Sequence, residues 1–127
     1  MPLRIFIVED KPAIQRLLAE ALEEGIENCT VVGWAASESE AVQAMRAVEW
    51  DIALVDLFLE QGSGAGVLAA FKERSPRKHM YVVTNHGSLS IRQECATLGV
   101  DAVFDRSKEL DALLDRVRDV SRALAGR

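Results

Sequence analysis

Carboxylates recur where short apolar runs end. Glu9 and Asp10 follow Ile5-Phe6-Ile7-Val8, Asp56 follows Ile52-Ala53-Leu54-Val55, and Asp105-Arg106 follow Ala102-Val103-Phe104. Thr84 follows Met80-Tyr81-Val82-Val83 in the same way. Acids held close together repel and raise one another's pKa unless a counter-charge is present. A hard divalent ion supplies that charge, and Mg2+ takes a few carboxylates, waters and a phosphoryl oxygen. No cluster of His and Cys accompanies these acids, which argues against zinc. An aspartate beside Mg2+ can act as a nucleophile towards phosphorus, while the metal and the guanidinium of Arg106 spread the developing charge. Any one of these acids alone reads as a helix cap. Their joint placement points to a site.

Continuous apolar runs of this length suit strands buried on both faces of a parallel sheet. A fifth, Val31-Val32-Gly33-Trp34-Ala35, completes the set. Between the runs lie segments of helical period: Ile14, Leu17, Leu18, Ala21 and Leu22; Ala41, Met45 and Val48; Val67, Leu68 and Phe71; Ile91, Cys95 and Leu98; and Leu110 to Leu124. Pro12 suits a first helical turn, with Asp10 as its cap, and Gly25, Ser75-Pro76 and Gly99 punctuate later helices. Five strands alternating with five helices, joined by right-handed crossovers, predict a doubly wound α/β sheet. Ligands then bind beyond the carboxyl ends of the strands. With strand order 2-1-3-4-5, Glu9, Asp10 and Asp56 converge there.

The chain has 127 residues, 49% hydrophobic and 28% charged, the composition of one ordinary globular domain. Fifteen Lys and Arg against 20 Asp and Glu leave a formal charge of −5, which argues against a surface built to neutralise nucleic acid. Cys29 and Cys95 are too few for a disulfide framework and suit a reducing cytosol. No run approaches the roughly 18 apolar residues of a membrane span, and the start does not read as a signal peptide.

The whole chain resembles the response-regulator receiver domain of two-component signalling. The resemblance rests on Ile5 to Pro12, Asp51 to Leu57, Gly62-Ser63-Gly64, Val82-Val83-Thr84 and Gly99 to Ser107, in that order and spacing. It implies a flavodoxin-like sheet of order 2-1-3-4-5, with residues 1–127 as a single receiver domain. Asp56 would accept the phosphoryl group. Glu9, Asp10, Asp56 and the backbone carbonyl of Phe58 would hold Mg2+. Thr84 would be the switch hydroxyl and Arg106 the cation that contacts the phosphoryl group. The donor would be a histidine kinase or histidine phosphotransfer protein in the cytoplasm. A downstream protein would read the face of helix 4, strand 5 and helix 5, including Ser90, Arg92, Gln93 and Asp105. No membrane or direct nucleic-acid partner is implied, and the last helix leaves both a monomer and a homodimer open.

Five departures from the family pattern stand out. Arg106 replaces the usual lysine, with Lys108 two residues on as a substitute if the loop bends. Val103 occupies the position of the switch aromatic, and strand alternation turns Phe104 to the other face. Asn85 follows Thr84 where a small residue is usual. Phe58 is bulky beside the acceptor, and Glu60 stands where proline is frequent. Phe58 and Asn85 are expected to restrict the attacking water and lengthen the phosphoryl lifetime.

Gly62-Ser63-Gly64-Ala65-Gly66 lacks the spacing of a dinucleotide loop and reads as a flexible turn with a helix cap. His86 reads as a loop histidine, His79 as lying before a strand without a partner, and Trp34 and Trp50 as packing residues. Arg116, Arg118 and Arg122 read as a solvated face. The expected function is a Mg2+-dependent phosphorylation switch with no separate substrate to turn over. Its rivals are a receiver excised from a longer DNA-binding regulator, a pseudo-receiver that binds without phosphorylation, and a small aspartyl-nucleophile phosphatase. The last lacks a second acid in Asp56-Leu57-Phe58.

Overall fold

The computed structural model describes residues 2–85 and 87–126. The strands are β1 (Leu3–Val8), β2 (Cys29–Ala35), β3 (Ile52–Val55), β4 (His79–Thr84) and β5 (Ala102–Asp105). They alternate with α1 (Pro12–Gly25), α2 (Glu38–Ala47), α3 (Gly64–Ala70), α4 (Leu89–Thr97) and α5 (Leu110–Ala125). All pairings are parallel, in the order β2-β1-β3-β4-β5. The expected five-strand, five-helix architecture is the one observed.

Side-chain alternation explains the two apolar layers. Leu3, Ile5 and Ile7 of β1 join Ile52 and Leu54 of β3 against Leu18, Leu22, Leu113 and Val117. Phe6 and Val8 point the other way and meet Ala53, Val55, Ala41, Met45, Val67 and Leu68. Successive strand residues face opposite sides, so an unbroken apolar run fills both layers at once. Each buried Leu, Ile or Phe contributes about 1.5–3 kcal/mol over its exposed state. Tyr81 and Phe104 meet edge to face in the first layer, with ring centroids 5.8 Å apart. Val103 packs against the second layer, so Phe104 does lie on the opposite face from the switch position.

Several expectations are corrected. Asp10 does not cap α1: Lys11 holds that position without a side-chain cap bond, although Pro12 does open the helix. Helix α3 ends at Ala70, five residues before Ser75-Pro76. Arg74 fills the gap, its guanidinium donating to the carbonyls of Phe71, Lys78 and Gly99 and to Asp101 at 2.7 Å. His79 lies inside β4, its ring 6.1 Å from that of Tyr81. Trp50 is a core residue, but Trp34 is 41% exposed. Arg118 donates to the Gly25 carbonyl and Arg116 lies over the Tyr81 ring, so this face of α5 is only partly solvated. Among the described residues no helix is long and apolar enough to cross a membrane.

Candidate functional site

The β1–β3 pairing brings the acids together. Beyond the last strand residues the ladder continues: the Asp56 N–H donates to the Val8 carbonyl at 2.9 Å, and the Glu9 N–H to Ala35 at 3.0 Å. Glu9 and Asp56 therefore leave adjacent strands side by side. Ligand oxygens of Glu9, Asp10 and Asp56 all lie within 4.8 Å of one another. Glu9 is 1% exposed and Asp56 7%.

Each carboxylate takes one backbone donor, Glu9 from the β1–α1 loop and Asp10 and Asp56 from the β3–α3 loop. Glu9 Oε1 accepts from the Lys11 N–H at 3.1 Å, and Asp56 Oδ1 from the Phe58 N–H at 3.2 Å. Asp10 Oδ2 accepts from the Glu60 N–H at 2.9 Å. Proline, frequent at this position in the family the sequence resembles, has no such donor, so Glu60 gives Asp10 a bond that a proline could not. Asp10 Oδ1 is buried and finds no hydrogen-bond partner among the described residues, with Lys11 Nζ 4.0 Å away. Burial, and then the Asp56 charge, push Glu9 up to about 7. Burial also raises Asp56. Raised acids around a buried oxygen without a donor are what a hard, oxygen-seeking cation would relieve, so these residues fit Mg2+.

Arg106 stands beside the cluster, Nη1 3.8 Å from Glu9 Oε2 and its side chain 15% exposed. Lys108 is exposed, and its N–H turns back to the Asp105 carbonyl at 3.2 Å. Thr84 ends β4 fully buried, paired with Asp105 across the sheet, and its carbonyl accepts from the Arg106 N–H at 2.8 Å. Phe58 is 59% exposed, and Asn85 is exposed as well. His86 lies outside the described residues.

Asp105 does not join the other acids. Its carboxylate accepts from the Ser107 hydroxyl at 2.5 Å, the Ser107 N–H at 2.9 Å and the Gly87 N–H at 3.2 Å. These bonds, the Ser107 hydroxyl foremost, lower it to about 2.

Two contributors escape sequence reasoning. Trp34 donates its indole N–H to the Glu9 carbonyl at 2.6 Å, bracing the acid from the edge strand. Its place at the end of β2, beside β1 in the predicted order, was the available signal. Glu38 fills the glycine loop: its Oε1 accepts from the Ser63 N–H at 2.8 Å. A Cβ on Gly66 would lie 2.3 Å from that carboxylate, and one on Gly64 would lie 2.1 Å from the Asp56 carbonyl oxygen. The loop is thus a tight seat, with Ser63 capping α3 as expected. A groove of about 1310 Å3 lies at the opposite end of the sheet, lined by Arg4, Trp50, His79 and Arg116 but by none of the acid cluster.

The model of the response regulator receiver domain matches residues 5–118. The transcriptional regulatory protein TcrA of Mycobacterium tuberculosis is 32% identical over 120 residues, covering 94% of this chain and 46% of that protein. The chemotaxis protein CheY of Halobacterium salinarum is 23% identical, covering 94% of this chain and 98% of that one. The solved structure of the phosphorylated cyanobacterial phytochrome response regulator RcpA is 28% identical with a TM-score of 0.76, covering 94% of this chain and 91% of its own. Apart from CheY, the chain spans about half the length of most of the curated relatives it matches. With the acid cluster at the carboxyl ends of a 2-1-3-4-5 sheet, this match places the chain in the response regulator receiver domain family.

Proposed function

We propose that the chain is a phosphorylation-dependent signalling switch in which Asp56 takes a phosphoryl group from a histidine kinase or histidine phosphotransfer protein. The carrying observation is the triad of Glu9, Asp10 and Asp56 within 4.8 Å, with Asp10 Oδ1 buried and undonated. Glu9, Asp10, Asp56 and the Phe58 carbonyl would hold Mg2+, which would supply charge neutralisation for the phosphoryl oxygens. An Asp56 carboxylate oxygen forms the new O–P bond as the donor's N–P bond breaks, and the departing imidazole takes up a proton. Arg106 swings its guanidinium from Glu9 to the phosphoryl oxygens, and Thr84 turns its hydroxyl to the same group. The phosphoryl group adds about −1.5 to −2 charge at neutral pH, which biases the two arrangements of the surface around α4, β5 and α5. A downstream protein reads that surface. The reading places the switch in the cytoplasm, with no membrane or direct nucleic-acid contact by this domain. The phosphorylated state of RcpA supports it by likeness.

Incubation with acetyl phosphate and Mg2+, followed by intact-mass measurement, tests the proposal. One hydroxylamine-sensitive phosphoryl adduct is expected, absent without metal and absent in Asp56→Asn. An adduct that persists in Asp56→Asn would move the acceptor to another residue, and none from acetyl phosphate and a panel of phosphorylated kinases would leave a binding module that is never phosphorylated. Sustained phosphate release from many monoesters would indicate a phosphatase instead.

A further inference from the structure

Arg92, at the end of the first turn of α4, lies on the surface expected to be read by partners, but it is half-buried there and engaged with three acceptors. Its Nε donates to the Gly87 carbonyl at 3.0 Å and its Nη1 to the Val103 carbonyl at 2.8 Å. Its Nη2 binds the Glu109 carboxylate just before α5. The same Glu109 oxygen accepts the Asp105 N–H at 2.9 Å, and Asp105 in turn accepts the Gly87 N–H. A closed polar circuit therefore joins the β4–α4 loop, α4, β5 and the start of α5.

Gly87 is the point where this circuit grips the loop. Its N–H and its carbonyl are both held, by Asp105 and Arg92 respectively. A Cβ there would lie 2.9 Å from Arg92 Nη2 and 3.1 Å from the Asp105 Cβ, so the two side chains close around a residue without one. Gly87 lies three residues after Thr84. Between them and Ser88, which caps α4 through the Ile91 N–H, there is little chain to absorb a shift. At position 103 the side chain is a valine with no ring to rotate. What β5 offers the neighbouring helix there is a carbonyl, and Arg92 holds it.

We propose that Arg92 is a positioning residue that clamps the β4–α4 loop in its unphosphorylated arrangement and ties the movement of Thr84 to α5. This rests on the reading of Asp56 as phosphoryl acceptor and adds the element that opposes it. Turning Thr84 towards a phosphoryl group draws on the loop that follows it, and a shift of Gly87 opens the circuit there. Opening it releases Arg92 Nε and the Asp105 carboxylate from Gly87 and leaves the Arg92–Glu109 pair without its anchor on the loop. A guanidinium is required because its planar donors serve three acceptors at once, whereas an ammonium is a single point of charge.

Hydrogen exchange and beryllofluoride titration of the full chain test the clamp separately from the acceptor. In the unmodified protein, Arg92→Ala is expected to speed exchange about tenfold at residues 87–92 and 104–109, with β1 and β3 unaltered. Beryllofluoride with Mg2+, a phosphoryl mimic, is expected to half-saturate Arg92→Ala at about fivefold lower concentration than wild type. Arg92→Lys should fall between the two, and Glu109→Gln should shift both readouts in the same direction while keeping the side chain's shape. Unchanged exchange in Arg92→Ala and Glu109→Gln overturns the clamp whatever Asp56 does. Faster exchange with an unchanged or higher half-saturation overturns its coupling to Thr84. Failure of the wild type itself to take beryllofluoride overturns the acceptor reading and the coupling built on it, leaving the exchange arm to judge the clamp.

Discussion

Arg106 Nη1 lies 3.8 Å from Glu9 Oε2, so a cation from the chain itself already shares the acid cluster with Asp10 and Asp56. A metal ion arriving at Glu9 meets that guanidinium as a competitor. Removing it leaves the acids without this counter-charge and frees Glu9 for the metal. Arg106→Ala is therefore expected to lower the metal-free Tm by roughly 4 °C, or about 1 kcal/mol, and to tighten Mg2+ binding several-fold. Calorimetric titration checks the second part: superimposable Mg2+ isotherms for the two proteins would refute the competition.

The Asp105 carboxylate carries a pH dependence of a predictable sign. Its bonds to Ser107 and Gly87 hold it at about 2, below the ordinary 3.8. The Asp105 N–H, followed by the Arg92 side chain, lowers Glu109 as well. Both groups are more acidic folded than unfolded, so their contribution is complete above about pH 5 and is lost as pH falls towards 2. The Tm difference between wild type and Asp105→Asn should thus be greatest near neutrality and shrink below pH 4. A gap that stays constant from pH 7 to pH 2 would show that these bonds do not carry it.

Phe58 and Asn85 are both exposed, Phe58 two residues after the proposed acceptor Asp56 and Asn85 directly after Thr84. Their side chains are expected to hinder water in line with the acyl phosphate. The double variant Phe58→Ala/Asn85→Ala should lose its phosphoryl group about fivefold faster with Mg2+, equivalent to about 1 kcal/mol of barrier. Decay of the phosphorylated mass peak measures this directly. Equal lifetimes in the two proteins would remove the shielding role.

Gly66 and Glu38 are coupled by contact. A Cβ at Gly66 would meet the Glu38 carboxylate at 2.3 Å, while Ser63 pins that carboxylate in place. Gly66→Ala should cost about 1–2 kcal/mol in the wild type and much less in a Glu38→Ala background. Urea unfolding of the four proteins gives the coupling energy, and strictly additive effects would contradict the seat.

Much of this was legible along the chain. The apolar runs, the helical stripes and the acids that follow β1 and β3 are local patterns, and each strand landed where its run lay. The resemblance then fixed which acids matter. Less was legible about their environment. Asp105 and Asp56 both follow or end an apolar run, yet one closes a turn with Ser107 while the other faces Glu9. The glycine loop looked flexible, and the shape of Glu38 rather than backbone freedom accounts for Gly66.

Composition alone, 127 residues with a charge of −5, described only an ordinary acidic domain. Period-2 and period-3.6 patterns determined the sheet and its layers, because burial of an apolar side chain depends on which face its own element presents. Only the tertiary structure decided which donor each carboxylate receives. The Glu60 N–H reaches Asp10 across 50 positions, and Arg92 reaches Glu109 across 17. Such bonds depend on direction and on loop ends brought together by distant strands, and no periodicity in the chain encodes them. Part of the −5 thereby acquires a purpose: Glu9, Asp10 and Asp56 form one site, and Asp105 and Glu109 hold the loop beside it.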